Sequence, residues 1–200
     1  VGAQEFEVEL SPAQLERTQV SGETPQLYFC PDLAGYAWVV RKDRWLNVGI
    51  GRIGPRHLAG HFERFLGQMV RAGVVDEEVA RSRPHGHAYL VYPLSARTLV
   101  DEGALLIGDA AGLAYPESGE GIRPAIESAL LAARTIAASG GNYSRERLEA
   151  YSNAVSDRYG ARTLAGTPAR PAGALVKWVA ALVMRTRWFT RAVFTGRWFL

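Results

Sequence analysis

Apolar and polar residues alternate along the amino-terminal part of the chain, which is typical of strands with one buried face. The alternation predicts strands over residues 5–10, 26–30, 35–40 and 45–51. In the strand that starts at residue 35, Tyr36 and Trp38 share one face, opposite Ala37 and Val39. The aromatic pair either lines a substrate cavity or belongs to the core, and the alternation leaves both alternatives open.

Helical spacing of apolar residues replaces this alternation at two places. Residues 55–72 carry an apolar stripe at the spacing of one helix face. Its members are Leu58, Phe62, Phe65, Leu66 and Met69. The pattern of residues 144–160 predicts a second helix. This helix is expected to begin at Ser144, because serine is a preferred residue at helix amino ends. Residues 87–93 predict a further strand that leads toward residue 104.

Residues 104–134 carry the most informative pattern. Apolar residues 104–107 end in Gly108-Asp109, which predicts a buried strand that stops abruptly. Asp109 then stands at the carboxyl end of a strand, where open α/β sheets bind their ligands. Helical periodicity resumes at Ile122, directly after two glycines. Glycines let a flat or anionic ligand approach the backbone, and the N–H groups of a helix start favour negative charge.

This segment resembles the second flavin-binding motif of FAD-dependent oxidoreductases of the para-hydroxybenzoate hydroxylase type. The resemblance is carried by GDAAG at residues 108–112, P-x-x-G-x-G at residues 116–121 and the Ala-rich helix that follows. Upstream, residues 23–52 read ETPQLYFCPDLAGYAWVVRKDRWLNVGIGR. They are similar to the E-x-x-x-Y-F…GYAWVFPKGDGxxNVGLG pattern of the geranylgeranyl reductase branch. The two segments stand in the order and spacing that the family uses.

The resemblance implies FAD as the cofactor and assigns residues to it. By resemblance, Asp109 hydrogen-bonds the ribityl chain, and the backbone near Gly119 to Ile122 faces the pyrimidine edge of the flavin. The implied cofactor-binding residues are Gly108, Asp109, Pro116, Gly119, Glu120, Gly121 and Ile122. Tyr36 and Trp38 are the implied substrate-pocket residues. No catalytic residue is assigned, because the flavin carries the chemistry.

One part of the family pattern has no counterpart in this sequence. Such enzymes begin with a strand, a G-x-G-x-x-G turn and a helix that hold the ADP half of FAD. Here Gly49, Gly51 and Gly54 lead into Pro55 after a presumed edge strand, and they are interpreted as a hairpin end. The chain is therefore interpreted as the carboxyl-terminal half of a flavoprotein. Its expected partner is the missing amino-terminal FAD-binding half.

Three groups of polar residues are not assigned to catalysis. His57 and His61 have metal-ligand spacing but no third ligand nearby, so no metal site is predicted. Glu117 and Glu120 could act near a flavin. Acidic residues at the amino end of a helix also stabilise the helix through its dipole, and this capping role is favoured. Cys30, the single cysteine, excludes an intramolecular disulfide and is interpreted as a small apolar strand residue in a reducing compartment.

The carboxyl-terminal tail is basic. Eight of the 23 Lys and Arg residues lie beyond Asp157, the last acidic residue, which indicates an anionic surface or partner. Residues 172–184 are apolar apart from Lys177 but too few for a spanning helix, which needs about 20 residues. The tail is interpreted either as a helix on a membrane surface or as a helix packed on protein. No nucleic acid is predicted as a partner.

Together the patterns predict an α+β fold: a mixed, largely antiparallel sheet with helices, a strand-turn-helix flavin motif and a helical tail. The predicted divisions are a substrate domain over residues 1–103, the flavin motif over 104–140 and carboxyl-terminal helices over 141–200. The predicted function is FAD-dependent reduction of carbon–carbon double bonds in a bulky apolar, lipid-like or prenyl-type substrate, in the cytoplasm or at a membrane surface. The alternatives are an aromatic monooxygenase or halogenase of the same superfamily, and a non-catalytic membrane- or partner-binding module.

Overall fold

The computed structural model describes residues 1–54, 56–92, 95, 97–116 and 118–160. The chain forms two compact units that divide between Ala88 and Tyr89. The predicted α+β class, an antiparallel sheet with helices, is confirmed. The predicted functional divisions at residues 104 and 141 stay predictions. The basic tail lies outside the described residues, and no helix within them is long and apolar enough to cross a membrane.

A five-stranded antiparallel sheet forms the first unit. Its strands are β1 (Gly2–Glu9), β2 (Gln26–Phe29), β3 (Gly35–Lys42), β4 (Trp45–Arg52) and β5 (His85–Ala88), in the order β2-β3-β4-β1-β5. The first four strands confirm the prediction from alternation. The interpretation of Gly49 and Gly51 as the end of a hairpin is confirmed, because β4 pairs antiparallel with β3 and ends at Arg52. The presumed edge strand is wrong, because β4 is central and also pairs along its length with β1. The strand predicted over residues 87–93 is confirmed at His87 and Ala88, but its predicted extent is wrong, because β5 ends at Ala88 and beyond it Val91 forms a single bridge with Ala114.

One face of this sheet is covered by a helix. The helices of the unit are α1 (Pro12–Arg17) and α2 (Leu58–Arg71), followed by a short 3-10 turn at Val79–Arg81. The predicted stripe of α2 is confirmed, since Phe62, Phe65 and Met69 are buried. Phe62 meets Phe6 of β1 edge to face, with ring centroids 6.0 Å apart. Ala37 and Val39 of β3 are buried in the same core cluster.

In its described part, up to residue 160, the second unit packs two helices beside a small hairpin. Its elements are β6 (Val100–Asp101), β7 (Ala104–Leu105), a 3-10 turn (Gly108–Ala111), α3 (Ile122–Ala138) and α4 (Arg145–Tyr159). The prediction that α4 follows Ser144 is confirmed. Leu148, Tyr151 and Val155 of α4 are buried, and they form the centre of this unit's core.

The prediction of a buried strand over residues 104–107 is wrong. Only Ala104 and Leu105 form a strand, and Leu106 and Ile107 are 36% and 40% exposed. The neighbouring helix α3 buries Pro124, Ser128 and Ala132, whereas several of its larger apolar side chains are exposed. Those between the start and the middle of α3, called the α3 stripe below, are Ile122, Ile126 and Leu130. An apolar run predicts burial only where another layer of the same chain covers it.

Candidate functional site

The turn after Ile107 is held against helix α3. The N–H of Gly108 donates to Ser128 Oγ at 3.0 Å, and this hydroxyl donates to the carbonyl of Ala125 at 3.1 Å. A Cβ at Gly108, where φ is 52°, would lie 3.0 Å from the Ala125 Cβ. Glycine therefore permits both the left-handed backbone and the close contact. Ser128 is fully buried and was not singled out from the sequence.

Asp109 follows in the same turn and lies against the start of α3. A Cβ built on Gly121 would stand 2.9 Å from Asp109 Oδ1, so the carboxylate reaches the glycine backbone. Gly121 directly precedes the first residue of the 17-residue helix α3. The structure thus brings Gly108, Asp109 and Gly121 together, and their predicted cofactor-binding roles stay predictions. The exposed carboxylate can accept hydrogen bonds from the hydroxyl groups of a ligand. The helix amino end beside it favours an electron-rich edge of the same ligand.

The loop between Tyr115 and Gly121 closes on itself. The N–H of Gly119 donates to the Tyr115 carbonyl at 2.8 Å, and the N–H of Tyr115 donates to the Glu120 carbonyl at 2.9 Å. Gly119 has a φ of 67°, in the left-handed region that favours glycine. The hydroxyl of Tyr89 donates to the Gly119 carbonyl at 2.9 Å. Tyr89 lies 30 residues away in sequence, and no local pattern pointed to it.

The other predicted cofactor residues lie along this loop and at the helix start. The carboxylate of Glu120 accepts from the N–H of Arg123 at 2.8 Å, which is the capping role favoured from the sequence. Pro116 is half-buried, whereas Ile122 is 76% exposed. Glu117 lies outside the described residues. The predicted cofactor-binding roles of these residues stay predictions.

A charged cluster that sequence reasoning missed ties α3 to α4. Glu127 accepts from Arg123 Nε at 2.9 Å, from Arg158 Nη2 at 2.8 Å and from the Tyr159 hydroxyl at 3.0 Å. These four residues are called the Glu127 cluster below. Partial burial raises the pKa of Glu127, but the hydrogen bonds from Arg158, Arg123 and Tyr159 outweigh it, and the pKa is lowered. The i, i+4 spacing of Arg123 and Glu127 was a usable signal, whereas Arg158 was counted only with the basic tail.

Tyr36 and Trp38 lie on the face of the sheet opposite α2. Both are half-buried, and their ring centroids are 6.1 Å apart. Phe29 of β2 extends the row, with its ring centroid 6.5 Å from that of Tyr36. Phe29, Tyr36 and Trp38 are called the aromatic row below. Since the core under α2 takes Ala37 and Val39, the row lies outside that core, and its role in a substrate pocket stays a prediction.

An ion pair braces the β2–β3 turn next to this row. The Arg52 side chain is 6% exposed and donates to both oxygens of Asp32, at 3.1 and 2.6 Å. The hydrogen bond from Arg52 lowers the pKa of the Asp32 carboxyl to about 2. Cys30 is buried beside the same guanidinium, and burial raises the pKa of its thiol. Cys30 is thus a packed strand-end residue, as interpreted from the sequence.

The two histidines with metal-ligand spacing lie at the start of α2. His57 precedes the helix with a left-handed backbone, and His61 Nδ1 lies 3.0 Å from an Arg64 nitrogen. Across the described ranges, no three His, Cys, Asp or Glu side chains come together as metal ligands.

Solved structures share the fold of this chain. The geranylgeranyl bacteriochlorophyll reductase-like protein of Thermoplasma acidophilum aligns with a TM-score of 0.58 at 23% identity, covering 92% of this chain and 43% of that one. A PqsL variant of P. aeruginosa aligns with a TM-score of 0.50 at 18% identity, covering 80% of this chain and 44% of that one. The α+β fold is therefore the one that these two proteins share with this chain.

Curated relatives are similar to this chain over part of their length. The digeranylgeranylglycerophospholipid reductase of Methanococcus vannielii is 30% identical over 158 residues, covering 74% of this chain and 40% of the relative. The reductase of the same name from Methanosphaerula palustris is 34% identical over 125 residues, covering 58% of this chain and 30% of the relative. The chain is a relative of these enzymes, which confirms the resemblance to the geranylgeranyl reductase-like group. It spans two fifths or less of their length, and no family model matches it.

Proposed function

We propose that this chain supplies the flavin-facing loop and the substrate sheet of an FAD-dependent oxidoreductase. The reaction is reduction of carbon–carbon double bonds in a bulky apolar, prenyl-type substrate. The observation that carries the proposal is the approach of the Asp109 carboxylate to the Gly121 backbone at the start of α3. The names of the curated relatives, digeranylgeranylglycerophospholipid reductases, support the reaction and the substrate class.

The residues around Asp109 fit a flavin. Its exposed carboxylate accepts hydrogen bonds from the hydroxyl groups of a ribityl chain, and the amino end of α3 favours the electron-rich pyrimidine edge. Gly121 lets the Asp109 carboxylate lie against the backbone at the start of α3, because a Cβ there would stand 2.9 Å from Asp109 Oδ1. When bound, reduced FAD supplies the hydride for the double bond.

The protein's contribution is to hold this loop in one arrangement. Tyr89 fixes the carbonyl of Gly119, and Glu120 caps the helix that follows. The Glu127 cluster anchors the first turns of α3 to the end of α4. Groups fixed before the ligand arrives lose little entropy on binding, so this bracing favours a defined orientation of the cofactor.

The aromatic row supplies apolar contact surface for the substrate. Its three rings are half-buried and lie 6.1 to 6.5 Å apart between neighbouring centroids. Large aromatic surfaces of this kind bind branched hydrocarbon chains through burial of apolar area.

The proposed site needs a second half that binds the ADP part of FAD. The α3 stripe, together with Leu106 and Ile107, exposes large apolar side chains in the second unit. Clustered exposed apolar side chains mark interaction surfaces in soluble proteins. We assign the amino-terminal FAD-binding half to this surface, in line with the greater length of the relatives.

The reaction type is tested without oxygen. The chain joined to its amino-terminal half, with FAD reduced by dithionite, should saturate double bonds of a geranylgeranyl glycerophospholipid under anaerobic conditions. The Asp109→Ala variant should lose this turnover. Hydroxylated product formed only in the presence of oxygen would contradict the reductase assignment and favour the monooxygenase alternative.

A further inference from the structure

The last two residues of α4, Arg158 and Tyr159, reach both ends of the loop that runs from Tyr115 to Gly121. We infer that this pair, called the α4 clamp below, holds the two ends of the loop in the arrangement that binds the flavin. The clamp follows from contacts within the second unit, whereas the flavin as its ligand rests on the proposed function. Both members are positioning residues, because they act through other side chains.

Tyr115, the first residue of the loop, lies against both members of the clamp. Its ring centroid is 6.3 Å from that of Tyr159, with the ring planes inclined by 52°. Arg158 Nη2 donates to the Tyr115 hydroxyl at 3.4 Å, and the same guanidinium lies 5.1 Å from the centroid of the Tyr159 ring. The backbone of Tyr115 closes the loop through Gly119 and Glu120. Holding the Tyr115 side chain therefore also holds the hydrogen bonds that close the loop.

The other end of the loop is tied to the clamp through Glu127. This carboxylate accepts from Arg158 Nη2 at 2.8 Å and from the Tyr159 hydroxyl at 3.0 Å. It also accepts from the Nε of Arg123, in the first turn of α3, at 2.9 Å. The N–H of Arg123 in turn donates to the Glu120 side chain in the loop. The clamp is thus connected to the start of α3 as well as to the start of the loop.

Tyr159 is itself held from a second side. Its ring centroid lies 5.8 Å from that of Tyr92, which is buried. The Tyr92 hydroxyl donates to the carbonyl of Gly160, and its N–H donates at 2.8 Å to the carbonyl of Ala114, directly before the loop. Burial, and then the hydrogen bond to Glu127, raise the pKa of Tyr159, so its hydroxyl stays a donor at neutral pH. A clamp fixed in this way can order the loop before a ligand binds.

Amide hydrogen exchange of the full chain without cofactor tests the clamp. Tyr159→Leu removes the ring contact and the hydroxyl, so exchange across residues 115–121 should become about five- to tenfold faster. Tyr159→Phe keeps the ring, and exchange should stay within about threefold of wild type. The matched control Tyr143→Leu changes a tyrosine that is 47% exposed, and it should leave the loop unchanged. Equal loop exchange in Tyr159→Leu and wild type would overturn the clamp.

A second variant separates loss of the clamp from loss of the fold. The Arg158 side chain is 42% exposed, so Arg158→Gln leaves the core of the second unit in place. Exchange across residues 115–121 should rise about threefold in this variant, because its hydrogen bonds to charged partners are lost. Peptides over β6 and β7 should keep the wild-type rate. Unchanged loop exchange, or an equal rise across β6 and β7, would also overturn the clamp.

The dissociation constant of FAD, measured for the chain complemented with its amino-terminal half, tests the ligand. We expect it to rise at least about threefold in Tyr159→Leu, because a smaller fraction of the protein then has the binding arrangement. Tyr159→Phe should recover most of the wild-type affinity. Faster loop exchange with unchanged FAD affinity in Tyr159→Leu would show that the clamp does not serve the flavin. If the complemented wild type binds no FAD, the proposed function fails together with the ligand, whereas the exchange rates decide separately whether the clamp exists.

Discussion

Replacing Asp32 by Asn should destabilise the β2–β3 turn that borders the aromatic row. The Arg52 side chain is 6% exposed. Its guanidinium would lose the only carboxylate that it contacts among the described residues. The Nε of Arg52 has no hydrogen-bond partner among these residues either. A buried charge without its counter-ion is strongly unfavourable. Asn keeps the shape of the side chain and one acceptor oxygen, so the charge is the property that changes.

The size of the effect follows from the ion pair. The Asp32 pKa falls from 3.8 to about 2, a shift worth about 2.5 kcal/mol at about 1.4 kcal/mol per unit. The Asp32 side chain is 47% exposed, so solvent screening reduces this contribution to about 1 kcal/mol. Desolvation of the unpaired Arg52 raises the expected loss to about 1–2 kcal/mol.

The pH dependence has a defined sign. Since the pKa of Asp32 is depressed in the folded state, its stabilisation is fully present above pH 3.8 and is lost as the pH falls toward about 2. The difference between wild type and Asp32→Asn should therefore be constant at neutral pH and shrink across that acidic window.

Amide hydrogen exchange, resolved by mass spectrometry, measures the loss of local stability in Asp32→Asn. Peptides from β3 and β4 should lose about five- to thirtyfold in protection in Asp32→Asn near neutral pH. Asp43→Asn is the matched control, because among the described residues the hydrogen bond of Asp43 is made by its backbone carbonyl, which accepts from Arg41, and not by its carboxylate. Equal protection in wild type and Asp32→Asn, or equal loss in Asp43→Asn, would refute the reasoning.

Three further changes test other parts of the molecule. Glu127→Gln should lower the protection of α4 from amide hydrogen exchange, because it removes the charge that Arg158 and Tyr159 contact, at a cost of about 1–3 kcal/mol. Unchanged protection, or the same loss in the exposed control Glu146→Gln, would show that Glu127 does not stabilise α4. Tyr89→Phe should speed amide exchange across residues 115–121 by about fivefold, because one hydrogen bond contributes about 1 kcal/mol. Unchanged exchange would show that the Tyr89 hydrogen bond does not stabilise this loop. Removing residues 172–200 should abolish sedimentation with anionic vesicles, since each basic residue near such a surface contributes about 1 kcal/mol. Aggregation of the truncated chain would instead indicate that the tail packs on protein.

The strands of the first unit could be predicted because each has one buried and one outer face. The α2 stripe was predictable for the same reason, since Phe62, Phe65 and Met69 recur at the spacing of one helix turn. Burial of residues 104–107 could not be judged, because periodicity does not reveal whether a covering layer belongs to the same chain. The central place of β4 was also hidden, because pairing with β1 joins residues about forty apart in sequence.

The candidate site shows the same division between local and distant signals. Asp109 and Gly121 were found through a local motif, and the structure brings them together. Tyr89 and Arg158 were missed, because their contacts with the loop and with Glu127 join residues 30 and 31 positions apart. Trp38 was found as an aromatic residue, whereas its close contact with Gly49 depends on strand register, which pairs the two residues.

The central claim is that Asp109 holds a flavin at the start of α3. Its most direct test is the dissociation constant of FAD, measured by flavin fluorescence for the chain complemented with its amino-terminal half. We expect a yellow complex whose FAD affinity falls about 10- to 100-fold in Asp109→Asn, because a hydrogen bond to a charged group is worth about 1.5–3 kcal/mol. The exposed control Asp157→Asn should bind FAD as the wild type does. Equal FAD affinity in wild type and Asp109→Asn would show that Asp109 does not hold the flavin.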